Sequence, residues 1–234
     1  MRKNQFLIKT LMATAIALSS NVAMSQGFVT EETPMMKGVT KNIKNNWKVR
    51  PLVTVGETNN AMQDVNSAEL GYRLPGILDG IGAFYRSPYR VQVLVNSELS
   101  GNEGYTYSLS NGTPLTGARI TSVDIFRKTR TIKKMSLAYD RVFDRFGKIV
   151  TNASQINEGS STGPNDGFSR LCSATGIKAG ALGFTRDVFF AGEETSNGQM
   201  AALDVNARDI YVVPMMGRPA TRMLLLLLIM VPTR

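Results

Sequence analysis

Histidine is absent from the 234 residues of this chain, and there is one cysteine, Cys172. The lack of histidine excludes the Ser-His-Asp triad, the Cys-His dyad, histidine-ligated zinc and acid–base catalysis by histidine. A single cysteine excludes a disulfide within the chain, and a lone thiol is by default a buried side chain. Any chemistry must therefore use carboxylates, lysine, arginine, tyrosine, this thiol or a metal ion.

The chain also lacks an apolar run long enough to cross a bilayer. The N-terminal apolar run, Leu11–Leu18, follows three positive charges and precedes the small-x-small tripeptide Ala23-Met24-Ser25. This arrangement predicts a signal peptide over residues 1–25 that is cleaved before Gln26; a retained signal anchor is the alternative. We therefore expect an exported protein, periplasmic or extracellular, without a stable membrane span.

The C-terminal end has an unusual composition. Five consecutive leucines, Leu224–Leu228, fit neither helical nor strand periodicity. We expect an out-of-frame or truncated tail over residues 218–234, with a buried strand or short core helix as the alternative. The remaining chain divides into a polar lead-in, residues 26–50, and a β-rich domain, residues 51–217.

The chain has few acids relative to its bases. Its formal net charge of +9 falls to +6 (9 − 3) without Arg2, Lys3 and Lys9. A basic run at residues 127–134 can attract nucleic acid or anionic lipid. Because this run lies between strand-like segments and contains no interleaved aromatic residues, we interpret it as a solvated turn and expect no nucleic-acid partner.

Short apolar runs alternate with turn residues from Pro51 onward. Asn111-Gly112 predicts a hairpin with a type I′ turn, whereas Lys133–Asp144 fits either a strand pair or one amphipathic helix. The pattern predicts an all-β fold, either an incomplete propeller-like arrangement of short antiparallel strands or a β-sandwich. The predicted strands include Leu52–Val55, Val91–Val95, Tyr105–Leu109, Thr121–Phe126 and Val188–Ala191.

Carboxylates follow two of these predicted strands. Glu98 lies in LVNSEL (Leu94–Leu99), and Glu193 and Glu194 lie in FFAGEET (Phe189–Thr195). Carboxylates gathered at strand ends hold hard cations such as Ca²⁺ in many β-rich proteins. Ordinary solvated acids after edge strands are the alternative.

The order of five segments resembles the PhoX-type alkaline phosphatases and their secreted relatives. The resemblance covers roughly residues 55–217 and corresponds to the first part of a longer family chain. It implies a β-propeller whose central channel holds calcium and iron ions, with phosphate esters as substrates. The segments are DGIGAF (Asp79–Phe84), LVNSEL, GARITSVDIF (Gly117–Phe126), DGFSRLCSA (Asp166–Ala174) and FFAGEET.

Two motifs carry the metal ligands implied by the resemblance, Asn-His-Glu and Cys-Glu-Glu-Asn in the family. This chain has Ser97 at the histidine, Gly192 at the cysteine and Thr195 at the asparagine. An all-oxygen calcium site fits these changes better than a mixed iron site, which needs a soft thiolate; whether Cys172 supplies one is left open. The residues that match the family, and are implied as metal ligands, are Asn96, Glu98, Glu193 and Glu194.

The resulting expectation is an exported metal-dependent phosphomonoesterase, inactive if the chain is a fragment. Arg170 and Lys178 lie near the second motif and are candidates to hold the phosphoryl oxygens. The alternative is a non-enzymatic exported calcium-binding β-protein. Metal content measured together with hydrolysis of a phosphomonoester distinguishes the two.

Overall fold

The computed structural model describes residues 27–33, 50–57, 72–156, 167–195 and 198–213. In these residues the chain forms eleven β-strands and a short 3-10 helix, Ala153–Gln155, with no α-helix. The expected all-β class is therefore confirmed. The predicted signal peptide and the apolar tail lie outside the described residues, as does most of the lead-in.

The first sheet contains four antiparallel strands in the order β1-β2-β5-β6. Residues 127–130 of the basic run form the exposed turn between β5 and β6, as expected. Phe28 forms an isolated bridge to Ile132 of β6, so this part of the lead-in pairs with the sheet. The strands are β1 (Leu78–Ser87), β2 (Arg90–Ser97), β5 (Ile120–Phe126) and β6 (Thr131–Leu137).

The second sheet has five strands in the order β7-β11-β10-β9-β8. Adjacent strands in this sheet are antiparallel, except that β7 and β11 are parallel to each other. The strands are β7 (Arg141–Phe143), β8 (Leu171–Ile177), β9 (Val188–Glu193), β10 (Met200–Asp204) and β11 (Asp209–Val213).

A small hairpin joins β3 (Tyr107–Ser108) to β4 (Pro114–Leu115). Asn111-Gly112 lies at its tip, as predicted, but the turn is not type I′: the positive φ in this turn is confined to Gly112, at +83°. The Asn111 side chain instead accepts a hydrogen bond from the Thr113 N–H at 3.1 Å. This Asx bond holds the tip without a left-handed asparagine.

Two further predictions are settled by the topology. Lys133–Asp144 is not a helix; it contributes β6 to the first sheet and β7 to the second, so its two strands do not pair with each other. Leu52–Val55 is not a strand. It lies between Pro51 and Gly56, which has a left-handed backbone. Its pairing with the described part of the lead-in is limited to one main-chain hydrogen bond, from the Thr30 N–H to the Leu52 carbonyl. Of Tyr105–Leu109, two residues form β3.

The two sheets pack through β1 and β8. Gly82 of β1 leaves room for the ring of Phe189, whose carbons would lie 2.9 Å from a Cβ at that position. Leu94 and Ile120, which share this face of the first sheet, are fully buried in the common core. In the described part of the chain neither sheet closes into a barrel or a propeller, and no helix there is long and apolar enough to cross a membrane.

Candidate metal centre

Asp79, Glu98 and Cys172 meet where β1, β2 and β8 come together. One potential ligand atom from each lies within 4.8 Å of those of the other two. Asp79 is exposed, Glu98 is half-buried and Cys172 is buried, so the cluster opens to solvent on one side. Two carboxylates and a thiol at this spacing can coordinate one metal ion.

Two β-bulges shape this cluster. In β1 the register against β2 shifts between Leu78 and Ile81, and in β8 the register against β9 shifts between Leu171 and Ala174. Asp79 lies in the first bulge and Cys172 in the second. A bulge places an extra residue against the partner strand and changes the direction of its side chains, and bulges are over-represented beside functional sites.

Gly80 allows the two bulged strands to approach each other. A Cβ at this position would lie 2.5 Å from the Cys172 carbonyl oxygen and 2.7 Å from the Ala174 nitrogen. Because both are main-chain atoms, they cannot move aside as a flexible side chain would. Glycine at residue 80 therefore holds Asp79 beside Cys172.

The Cys172 thiol is surrounded by carboxylates. Its Sγ donates a hydrogen bond to Glu194 Oε2 at 3.1 Å. Burial raises the pKa of the thiol well above its usual value, and the carboxylates of Glu194 and Glu98 raise it further. The thiol is thus protonated in the absence of a cation, and thiolate formation at this position needs a positive charge.

Arg170 supplies a positive charge at the edge of the cluster. Its Nε and Nη2 donate to Glu98 Oε1 at 3.1 and 2.5 Å, and Nη2 lies 3.8 Å from Glu194 Oε2. Hydrogen bonding from Arg170, and then from the Cys172 thiol, lowers the pKa of Glu98. The backbone of Arg170 is left-handed, with φ +49°. Its N–H donates to the Leu99 carbonyl and its own carbonyl accepts from the Glu194 N–H, and these two bonds hold the conformation.

Asn96 lies behind the cluster and is fully buried. Its Nδ2 donates to the Cys172 carbonyl at 2.9 Å, which fixes the orientation of the amide because a carbonyl can only accept. Asn96 Oδ1 has no hydrogen-bond partner among the described residues. Buried polar atoms are nearly always satisfied, so this oxygen is an exception in the fold.

Glu193 does not join the cluster. Consecutive strand residues point to opposite faces, and the buried Glu193 carboxylate accepts from the N–H groups of Ser169 at 2.8 Å and Gln199 at 3.1 Å. Burial raises the pKa of Glu193 to about 7 although these two donors lower it. Its role in the structure is to connect the main chain on either side of β9, which differs from the predicted ligand role.

The other predicted positions also separate. Ser97, at the family's histidine, faces away from Asn96 and exchanges hydrogen bonds with the main chain of Arg119. Lys178 follows the far end of β8; six residues at a rise of about 3.3 Å place it roughly 20 Å from Cys172 along the strand. Arg170 alone of the two cation candidates lies at the cluster.

Of the four predicted ligands, Glu98 belongs to the cluster with Cys172, whose role was left open, and Glu194 accepts from its thiol. Asn96 contacts the main-chain carbonyl of Cys172 instead. Asp79 was missed. The signal in the sequence that could have indicated Asp79 is the glycine that follows it, because a glycine inside a strand permits the close approach of another backbone.

Three comparisons with known proteins returned no match: no family model, curated protein or solved structure is similar to this chain. The resemblance to PhoX-type phosphatases therefore rests on its short motifs.

Proposed function

We propose that this protein binds a divalent transition-metal ion through Asp79, Glu98 and Cys172, and that the loaded site hydrolyses phosphate monoesters. The observation that carries the proposal is the approach of the three ligand atoms to within 4.8 Å of one another.

The thiol changes which ion is favoured. Calcium takes six to eight oxygen ligands, and the four residues predicted from sequence would have supplied oxygen only. A mixed set of two carboxylates and a thiolate suits softer divalent ions such as zinc or ferrous iron. We therefore propose a transition metal in place of the calcium expected from the sequence.

Loading the site exchanges partners that the structure already defines. The Cys172 proton, now held against Glu194, must leave before the sulfur can bind a metal. Both Arg170 donors bond to Glu98 Oε1, so Glu98 can bind the ion through Oε2 while it keeps its bonds to Arg170. Metal binding should therefore release about one proton per site and strengthen with rising pH.

The proposed chemistry combines the ion with Arg170. A bound divalent ion would neutralise phosphoryl oxygens and lower the pKa of a water molecule. The Arg170 guanidinium uses two of its five N–H donors on Glu98 Oε1, and the others can bond to phosphoryl oxygens. It is 46% exposed, so a substrate can reach it.

An exported metal-binding protein without enzymatic activity is the second candidate. The observation in its favour is that neither sheet in the described residues closes, so the enclosed channel that the resemblance implies is not formed there. Export itself rests on the predicted signal peptide.

Hydrolysis of p-nitrophenyl phosphate by the zinc-, iron- or manganese-loaded protein tests the proposal. We expect turnover that a chelator abolishes and that Glu98→Gln lowers at least about tenfold. Glu31→Gln, a substitution at an exposed glutamate, removes the same charge outside the cluster and should leave the rate unchanged. Metal binding without turnover would favour the second candidate, and no binding of any of these ions would overturn both.

A further inference from the structure

One end of the first sheet brings exposed tyrosines beside the basic run. The β1–β2 turn and the β5–β6 turn lie next to each other there, because the ends of β2 and β5 pair. The Arg127 N–H donates to the Tyr89 carbonyl at 2.8 Å, which joins the two turns. The basic run contains no aromatic residue, so folding supplies the rings that its sequence lacks. We refer to these two turns, residues 88–89 and 127–130, as the basic end.

The tyrosines at the basic end are open to solvent. Tyr89 is 74% exposed, and Tyr85, on β1 shortly before the turn, is 55% exposed. The Arg127 Cζ lies 5.7 Å from the centroid of the Tyr85 ring, and its Nη1 donates to the Pro88 carbonyl at 3.1 Å. Arg127 therefore holds the two turns together and leaves the side chain of Tyr89 available to a partner.

The cations at and beside the basic end have no carboxylate partner. None of them forms an ion pair with a described residue, whereas six other arginines do. The lead-in that pairs with β6 contributes two exposed acids, Glu31 and Glu32. Five cations against two acids leave an excess of three positive charges (5 − 2). The five are Arg50, whose Nη1 donates to the Thr129 carbonyl, and the exposed Arg127, Lys128, Arg130 and Lys133.

The β8–β9 hairpin brings an aliphatic side chain to the same end of the molecule. Asp187, at the base of this hairpin, accepts from Arg86 Nη1 at 2.8 Å, and Arg86 lies two residues before the β1–β2 turn. Leu182, in the hairpin loop, is 53% exposed and has a left-handed backbone, φ +50°. A bulky residue with positive φ is an outlier, and such strain clusters at functional sites. Leu182 and Tyr89 thus present two exposed apolar side chains on neighbouring turns.

We propose that the basic end docks on a membrane surface that contains anionic phospholipids. The unpaired cations attract the lipid phosphates. The Tyr89 ring, apolar with a polar hydroxyl, suits the headgroup level, where tyrosine is enriched. Leu182 suits the boundary with the acyl chains, whereas an aliphatic side chain offers the bases of a nucleic acid no stacking surface. Such docking is peripheral and does not depend on the metal centre.

Sedimentation of the full chain with lipid vesicles tests the proposal. Chelator is present, so that a divalent ion cannot bridge a carboxylate to a lipid phosphate. At about 0.1 M NaCl we expect vesicles of phosphatidylglycerol and phosphatidylcholine to bind the protein at least about tenfold more tightly than phosphatidylcholine alone. Binding should fall at about 1 M NaCl, where the screening length drops from about 10 Å to about 3 Å. Equal binding to both vesicles, or binding that salt does not weaken, would overturn the proposal.

An exposed turn elsewhere in the molecule supplies matched controls. Residues 144–148 follow β7, which runs parallel to β11 and away from the β10–β11 turn. That β10–β11 turn lies near the basic end, because Asn206 in it accepts from Arg86 Nη1 at 2.9 Å. The turn at residues 144–148 therefore lies at the opposite end of the second sheet, and it carries an exposed aromatic residue and an exposed lysine, Phe146 and Lys148.

Two pairs of variants locate the docking surface. Tyr89→Ser removes the exposed ring and should weaken binding to the anionic vesicles about tenfold. Lys128→Gln removes one unpaired cation and should weaken it about fivefold, the effect of one cation near an anionic surface. Phe146→Ser and Lys148→Gln make the same changes at the opposite end and should leave affinity within about twofold.

The apolar segments at both chain ends are the same in every variant, so these comparisons exclude their contribution. Circular dichroism establishes that each variant is folded. Losses as large in the control variants as at the basic end would contradict the assignment. Binding to a single-stranded oligonucleotide without binding to the anionic vesicles would assign the surface to nucleic acid and overturn the proposal.

Discussion

Glu193 and Arg119 show how single buried charges are held in this protein. Glu193 is satisfied by two main-chain N–H groups. Arg119 is fully buried between the rings of Tyr105 and Tyr107, whose centroids lie 4.3 and 4.2 Å from its Cζ. Neither role is visible in the sequence, since both depend on chain segments that folding brings together.

Glu193 should make stability depend on pH. Its pKa in the folded protein is about 7, above the ordinary value of 4.5. Its contribution to the free energy of unfolding is therefore fully present below pH 4.5 and is lost as the pH rises through about 7. The shift corresponds to a loss on the order of 3 kcal/mol. Glu193→Gln removes this titration. The NH2 group of the glutamine cannot accept a hydrogen bond, so one of the two main-chain N–H groups loses its acceptor, and we expect the variant to be less stable than wild type at pH 5.

Urea unfolding of both proteins at pH 5 and pH 8, with chelator present, measures the effect. All other titrating groups are shared, so the difference between the two proteins isolates Glu193. We expect wild type to exceed the variant at pH 5 and the gap to shrink by pH 8. A gap that stays constant or widens would show that Glu193 is ionised throughout this range.

Arg119→Lys should destabilise the fold by about 2–4 kcal/mol, because lysine loses the stacking on both rings and the guanidinium bonds to the carbonyls of Tyr105 and Gly117. Chemical denaturation is the measurement. Arg50→Lys, at an exposed arginine with one long hydrogen bond of 3.4 Å, is the control and should change stability by less than about 0.5 kcal/mol. Similar effects of the two substitutions would contradict the stacking interpretation.

Glycine at residue 80 controls how close β1 and β8 lie. Gly80→Ala places a methyl group against main-chain atoms of β8, so the strands must separate. We expect a loss of about 1–3 kcal/mol in stability and weaker metal binding, because Asp79 moves away from Cys172.

Gly76→Ala is the matched control for this substitution. A Cβ there would meet one side-chain atom, Val55 Cγ1, at an ordinary 3.7 Å. Thermal unfolding and cobalt titration of both variants give the comparison. Unchanged metal affinity in Gly80→Ala would mean that the approach of β1 to β8 does not assemble the cluster.

The strands were predictable from the sequence where one face alternates, as in Val91–Val95 and Thr121–Phe126. The bulges were not, because an extra residue leaves the composition of a strand unchanged while altering the direction of its side chains. For this reason the sequence placed Glu98 and Glu194 near one another but did not bring Asp79 to them, and it grouped Glu193 with Glu194 although Glu193 points to the other face. The hairpin at Asn111-Gly112 was predicted because turn chemistry is local.

At the scale of the described chain there are two open sheets, and Asp79, Glu98 and Cys172 meet at one end of the first sheet. Sequence patterns gave the all-β class, but the order β7-β11-β10-β9-β8 includes a parallel pair and a split of residues 133–144 between sheets. Such long-range pairing is set by core packing among residues distant in sequence. It could not be read from periodicity.

The central claim is that Cys172 and the carboxylates beside it bind one metal ion. Cobalt(II) titration of the chelator-treated protein, followed by near-ultraviolet absorption, tests it directly, since thiolate coordination to cobalt gives an intense charge-transfer band. We predict a band that saturates at one equivalent in wild type and is absent from Cys172→Ser. A wild-type titration without the band, or an unchanged band in Cys172→Ser, would contradict the account.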